Sequence, residues 1–115
     1  MPSSAVTQAR AWYWQRISAM VLTVFVGIHL AIMIIAIHGG LTASEILGRT
    51  QGSLAFGLFY ALFVLACAVH VPIGVAKIAQ EWGHVSPGLA RWIARMLTVA
   101  IVGMGFAAVW GVTVV

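Results

Sequence analysis

Phe63-Val64-Leu65-Ala66-Cys67-Ala68-Val69-His70-Val71-Pro72-Ile73-Gly74-Val75 is an apolar run with one imidazole set inside it, and no charge follows until Lys77. Taken back to Leu54 and on to Ala76, the run is long enough to cross the hydrocarbon core of a bilayer, which takes about 20 residues. An imidazole at membrane depth is costly to leave without a partner, so His70 is a functional-site candidate from the outset. The segment therefore reads both as a spanning helix and as the holder of whatever engages His70.

The whole chain agrees with that reading. Of its 115 residues 63% are hydrophobic and 7% charged, far outside the soluble globular range. A water-soluble domain of this size has no interior large enough to hide so much apolar surface. The class is all-α, an integral membrane three-helix bundle forming one domain over residues 1–115. The net charge of +4 comes from six basic and two acidic residues. The basic residues flank apolar runs, a topology signal and no nucleic-acid footprint. The single cysteine, Cys67, excludes an internal disulfide framework. The first apolar run is too long for a signal-peptide core and is kept as a mature helix.

Ile17 to Ile37 is the first spanning segment, Leu54 to Ala76 the second and Met96 to Val115 the third. Residues 1–11 read as a polar tail or short interfacial segment, Trp12-Tyr13-Trp14 as a headgroup-level aromatic cluster, and Arg16 as the water side of the boundary. In the loop from Gly39 to Ser53, Thr42-Ala43-Ser44-Glu45 has the form of a helix start and predicts a short surface helix. Residues 77–92 read as a polar connection with a turn at Pro87-Gly88. Arg10, Arg16, Lys77, Arg91 and Arg95 fall on one side and Arg49 alone on the other. The positive-inside rule then gives a cytoplasmic N-terminus and an outside C-terminus.

Within this frame His70 lies about 10 Å above Lys77, in the inner half of the bilayer. Ala66 and Gly74, one turn to either side, leave room for a flat macrocycle, and Lys77 on the same face is placed to meet a propionate. Neutral imidazole is a good axial ligand for haem iron. The alternative is an interhelical hydrogen bond to a carbonyl or hydroxyl. His29 lies roughly 20 Å along its helix from Arg16, in the outer half. The two histidines, at different depths, do not serve one iron within one copy. His29 is a candidate for a second haem or a polar packing contact. Cys67 reads as a small hydrophobe. Arg16, with the segment Gln80-Glu81-Trp82-Gly83-His84, forms either the mouth of a site for an amphipathic ligand such as a quinone, or a set of interfacial anchors.

Ala68-Val69-His70-Val71-Pro72-Ile73-Gly74, followed by Glu81-Trp82-Gly83, is similar to the second helix of the cytochrome b membrane anchor of succinate dehydrogenase and fumarate reductase. In that family a haem-ligating His is followed by Gly four residues on, then by an acidic–aromatic–Gly step at the membrane surface. Gln15-Arg16-Ile17-Ser18-Ala19 resembles the family's His-Arg-x-Ser-Gly start of the first helix. The resemblance covers most of the chain. It implies a multi-pass protein of a bacterial inner membrane, with His70 as axial ligand of haem b and Lys77 near a haem propionate. Arg16 and Ser18 would line a quinone site, with Trp82 packing nearby. It also implies partners: a flavoprotein subunit, an iron–sulfur subunit, and a second membrane anchor or second copy that completes the haem ligation. The chain would carry electrons to quinone without catalysing succinate oxidation, the tricarboxylic acid cycle step, itself. Three positions depart from the family: Trp12 stands where a quinone-binding serine is expected, Ala19 where glycine is, and Ala76 where an arginine is. His29 matches two-haem relatives, which place a distal-haem histidine on the first helix. The rival readings are a small dimeric membrane transporter and a haem-free structural anchor. The first needs an intramembrane carboxylate, yet Glu45 and Glu81 both lie in connections.

Overall fold

A computed structural model describes residues 4–114 as four helices and their short links. They are α1 (Ala5–Gly39), α2 (Ala43–Thr50), α3 (Leu54–Glu81) and α4 (Pro87–Thr113). The architecture is all-α, and α1, α3 and α4 are each long and apolar enough to cross a membrane.

Each helix begins on a hydroxyl that accepts from an otherwise unsatisfied amide of its first turn. Ser4 takes Thr7 N at 3.1 Å, Thr42 takes Glu45 N at 3.3 Å, Ser53 takes Phe56 N at 3.2 Å and Ser86 takes Leu89 N at 3.2 Å. These caps explain where the boundaries depart from expectation. Residues 5–16 are the first turns of α1 and no tail, because Ser4 caps them and neither Gly nor Pro occurs between Ser4 and Gly27. The expected tail residues 1–3 and the expected terminus at Val115 lie outside the described residues. Pro87-Gly88 opens α4 and makes no turn: proline at the first helical position gives up an amide that would lack a partner anyway. With α3 running to Glu81, the connection shrinks to residues 82–86. It turns on His84, whose φ of 53° is left-handed, while Val85 N reaches back to Ala79 O at 3.2 Å. The short surface helix expected at Thr42 is present as α2. Its Thr42 hydroxyl also bonds Glu45 Oε1 at 2.7 Å.

α3 is the central element, with α1 and α4 packed along it and α2 touching α4. Both pairings are antiparallel. Phe25 stacks on Phe59 with centroids 4.9 Å apart, and Gln15 rests on Gly74. On the other side Gly105 faces Val64, and Gly57 faces Thr113. At the far end Thr50 Oγ1 donates to Val112 O and Gly52 N to Thr113 O, both at 2.6 Å. These bonds serve carbonyls of the last turn of α4 that no helical amide reaches.

The buried side chains are small: Ala36, Ala66 and Ala90, the hydroxyl residues Ser18, Thr50 and Thr113, and Pro72. Among the described residues no large side chain is fully buried, and Met20, Ile35, Leu54 and Met104 among others point outward. That distribution suits a lipid or multi-subunit setting, where helices associate through small residues and keep bulky ones outside. The bundle measures 52 × 23 × 23 Å. It exceeds the ~30 Å hydrocarbon layer, so both ends stand in the headgroup zones. Antiparallel packing gathers Arg10, Arg16, Lys77, Arg91 and Arg95 at one end and leaves Arg49 at the other, bonded to Gly40 O at 2.7 Å.

Candidate functional site

His70 lies half-buried on α3, two residues before Pro72, which is itself buried. Proline brings no N–H, so the carbonyl of Ala68 loses its helical donor one half-turn from the imidazole. His70 Nδ1 is buried and has no hydrogen-bond partner. The room that Ala66 and Gly74 leave is taken by α1. Ala66 is 8% exposed in the α1–α3 seam, and a Cβ built on Gly74 would stand 3.0 Å from Gln15 Nε2. Gln15 Oε1 is the other buried side-chain polar atom without a partner among the described residues. Two unsatisfied groups thus sit in neighbouring turns of one seam. In the sequence Gln15 stands out only by its place in the start motif. The available signal was its phase: it lies one turn before Ser18, on the face that meets α3.

His29 is engaged. Its Nδ1 stands 3.2 Å from Tyr60 Oη, and its ring meets Tyr60 and Phe63 edge-on at centroid distances of 5.9 and 5.8 Å. It borders a cleft of about 710 Å³ between α1 and α4, floored by Tyr60, Phe63 and Cys67 of α3. Tyr60 and Phe63 precede His70 by two to three turns, which separates the imidazoles by roughly 10–15 Å along the bundle. One iron therefore does not take both. Cys67 is a free thiol on the cleft wall.

The three residues expected around a quinone do not converge within one chain. Ser18 is 5% exposed, and its Oγ donates to Gln15 O at 3.1 Å in the seam with α3. Arg16, two positions earlier, faces nearly the opposite way, since residues two apart on a helix share no side. Its guanidinium lies 5.0 Å over the Trp12 ring. Trp82 caps the C-terminus of α3 and is 80% exposed. All three belong to the basic half of the bundle, as does the exposed Lys77. Glu45 lies in α2 and Glu81, expected in a connection, is the last residue of α3, so among the described residues neither acidic side chain falls in the middle of a long apolar helix.

Among the described residues no group of three or more His, Cys, Asp or Glu could hold a metal ion. Porphyrin-bound iron asks less, one or two protein nitrogens. An imidazole held in an apolar seam with a nitrogen unsatisfied fits that requirement. Comparison with known protein families, curated proteins and solved structures finds nothing that matches this chain.

Proposed function

We propose that this chain is a membrane anchor of a succinate:quinone oxidoreductase in a bacterial inner membrane, and that His70 gives haem b one of its two axial nitrogens. The observation that carries the reading is the buried, unpartnered Nδ1 of an imidazole at membrane depth. A ring so placed is a folding liability unless its nitrogens are taken up by a group brought into the seam or by a ligand from outside the chain. The outward-facing apolar side chains support a second anchor, or a second copy, that covers part of the bundle and brings the other axial ligand.

In this reading the basic end is cytoplasmic and receives the iron–sulfur and flavoprotein subunits. Lys77, exposed two turns from His70, neutralises a haem propionate. Bound haem b supplies one-electron carriage between the docked subunits and quinone. Arg16 and Trp82, both exposed at the basic end, offer a guanidinium donor and a flat apolar wall to a quinone whose pocket the partner subunits complete. Ser18 contributes only by giving up its bond to Gln15 O. His29 is the candidate ligand for a second haem, through the ring nitrogen that Tyr60 does not engage.

The test is a reduced-minus-oxidised spectrum of the complex purified from membranes. A Soret band that disappears in His70→Ala supports the assignment, and one that persists refutes it. Haem quantitation per anchor, repeated with His29→Ala, decides the second site. The haem-free anchor has its own support in the His29–Tyr60 bond, which uses a membrane-depth histidine purely to join helices. A complex that assembles with no Soret band at all establishes that reading instead.

A further inference from the structure

Gln15 Oε1 and His70 Nδ1 are chemically complementary. An amide oxygen only accepts, and an imidazole Nδ1 donates in one of its two neutral tautomers. Both atoms are buried and both lack a partner, and the Gln15 side chain lies against Gly74, one turn along α3 from His70. Gly74, one turn beyond His70, is what admits the Gln15 side chain: a Cβ there would press on Gln15 Nε2 at 3.0 Å. The neighbouring hydroxyl offers no substitute, because Ser18 Oγ is already committed to Gln15 O at 3.1 Å. Nearby Ala68 O lost its helical donor to Pro72, but it also only accepts and so cannot satisfy Gln15 Oε1.

We infer that Gln15 is the positioning residue of His70. Its Oε1 accepts from His70 Nδ1–H, after rotation of the terminal amide or across one buried water. The bond holds the ring in the tautomer whose Nε2 lone pair is available to a metal. Histidine ligands are commonly fixed in this way by an acceptor on the other ring nitrogen. The effect on bound haem rests on the function proposed above; the tautomer assignment does not.

The two parts are tested separately. First, the full chain is reconstituted without haem in lipid bilayers with isotope-labelled histidine, and the His70 signal is identified by its loss in His70→Ala. Solid-state NMR is expected to show the Nδ1–H tautomer in the parent chain and in Gln15→Glu, which keeps an acceptor. In Gln15→Met, of similar length but without one, the population is expected to move to Nε2–H. An Nε2–H ring in the parent, or an Nδ1–H ring that survives Gln15→Met, overturns the inference whether or not the protein binds haem. Second, in the assembled complex Gln15→Met is expected to weaken haem retention by about 10–100-fold and to move the low-spin g-values of the oxidised iron, with Gln15→Glu restoring both. Retention and g-values that match the parent overturn the positioning role, while the parent's Soret band leaves the haem assignment standing. Circular dichroism and unchanged His29 resonances identify variants that keep the bundle intact.

Discussion

Replacing Gly105 by alanine tests the seam that holds α4 to α3. The added Cβ would lie 2.6 Å from Val64 Cγ1, 2.9 Å from Cγ2 and 3.3 Å from Cβ. Carbon atoms rest comfortably no closer than about 3.5 Å, so the helices must separate locally by about 1 Å or Val64 must rotate. Rotation is restricted, since a β-branched side chain in a helix keeps essentially one rotamer. Overpacking of this kind costs about 1–3 kcal/mol. Alanine also raises helix propensity by up to about 1 kcal/mol, which would mask part of the loss. Gly103→Ala is the control, because nothing lies within 4 Å of a Cβ at that position and it gains the propensity alone. The difference between the two variants isolates the packing cost, about 1–3 kcal/mol. The assay is reversible denaturant unfolding of the isolated chain in mixed micelles, followed by tryptophan fluorescence. Adding Val64→Ala to Gly105→Ala removes the two closest atoms and is expected to recover most of the loss. Equal stability of Gly105→Ala and Gly103→Ala, or a double variant no better than the single one, would refute the 64–105 register.

The remaining predictions concern the outer end, the cleft and the orientation. Thr50→Val leaves Val112 O without its 2.6 Å donor and is expected to cost about 1–3 kcal/mol, with faster hydrogen exchange at the Gly52 amide as the local readout. Gly40→Ala combines a φ of +109° with a Cβ in the place of the Glu45 carboxylate, so a loss of about 1–3 kcal/mol and earlier exchange of the α2 amides are expected. Tyr60→Phe deletes the bond to His29 Nδ1 and is expected to lower stability by about 0.5–1.5 kcal/mol while leaving any Soret band due to His70 in place. In a Cys67→Ala background, Ser86→Cys is expected to react with impermeant thiol reagents from the cytoplasmic side and Thr42→Cys from the outside. The reverse pattern would invert the topology.

The spans were legible because charge-free apolar runs are a local property of the chain: the first two runs fall within α1 and α3, and the third follows α4 to its end at Thr113. Their ends were less legible, since a helix stops where its backbone groups find other partners and not where polarity changes. Ser4 and Ser86 place two starts well before the apolar runs begin, and Pro87, a residue type common in turns, fits a first helical position equally well. At the site, the place of His70 two turns from Lys77 and its separation from His29 both followed from counting turns. What pairs with each was not readable. Tyr60 meets His29 and Gln15 meets Gly74 only through the register of α1 on α3, which depends on close approach at small residues far apart in sequence. Arg16, Ser18 and Trp82 were grouped by resemblance. Helical phase turns Ser18 inward and Arg16 outward, so a single chain does not bring them to one point.

The attachments of the three long helices are unequal. α3 and α4 form a closed circuit, joined by the tight link over residues 82–86 at one end and by the Thr50 and Gly52 bonds at the other. α1 is tied to this pair by the short link after Gly40 and by its seam with α3, over 35 residues from Ala5 to Gly39. It is a lever laid against the α3–α4 pair, and small changes of tilt near Gly40 grow toward the basic end. Gln15 rides near the tip of that lever while His70 belongs to the frame. A load placed on α1 at the basic end would therefore move Gln15 relative to His70, with no movement of the helix that carries the imidazole.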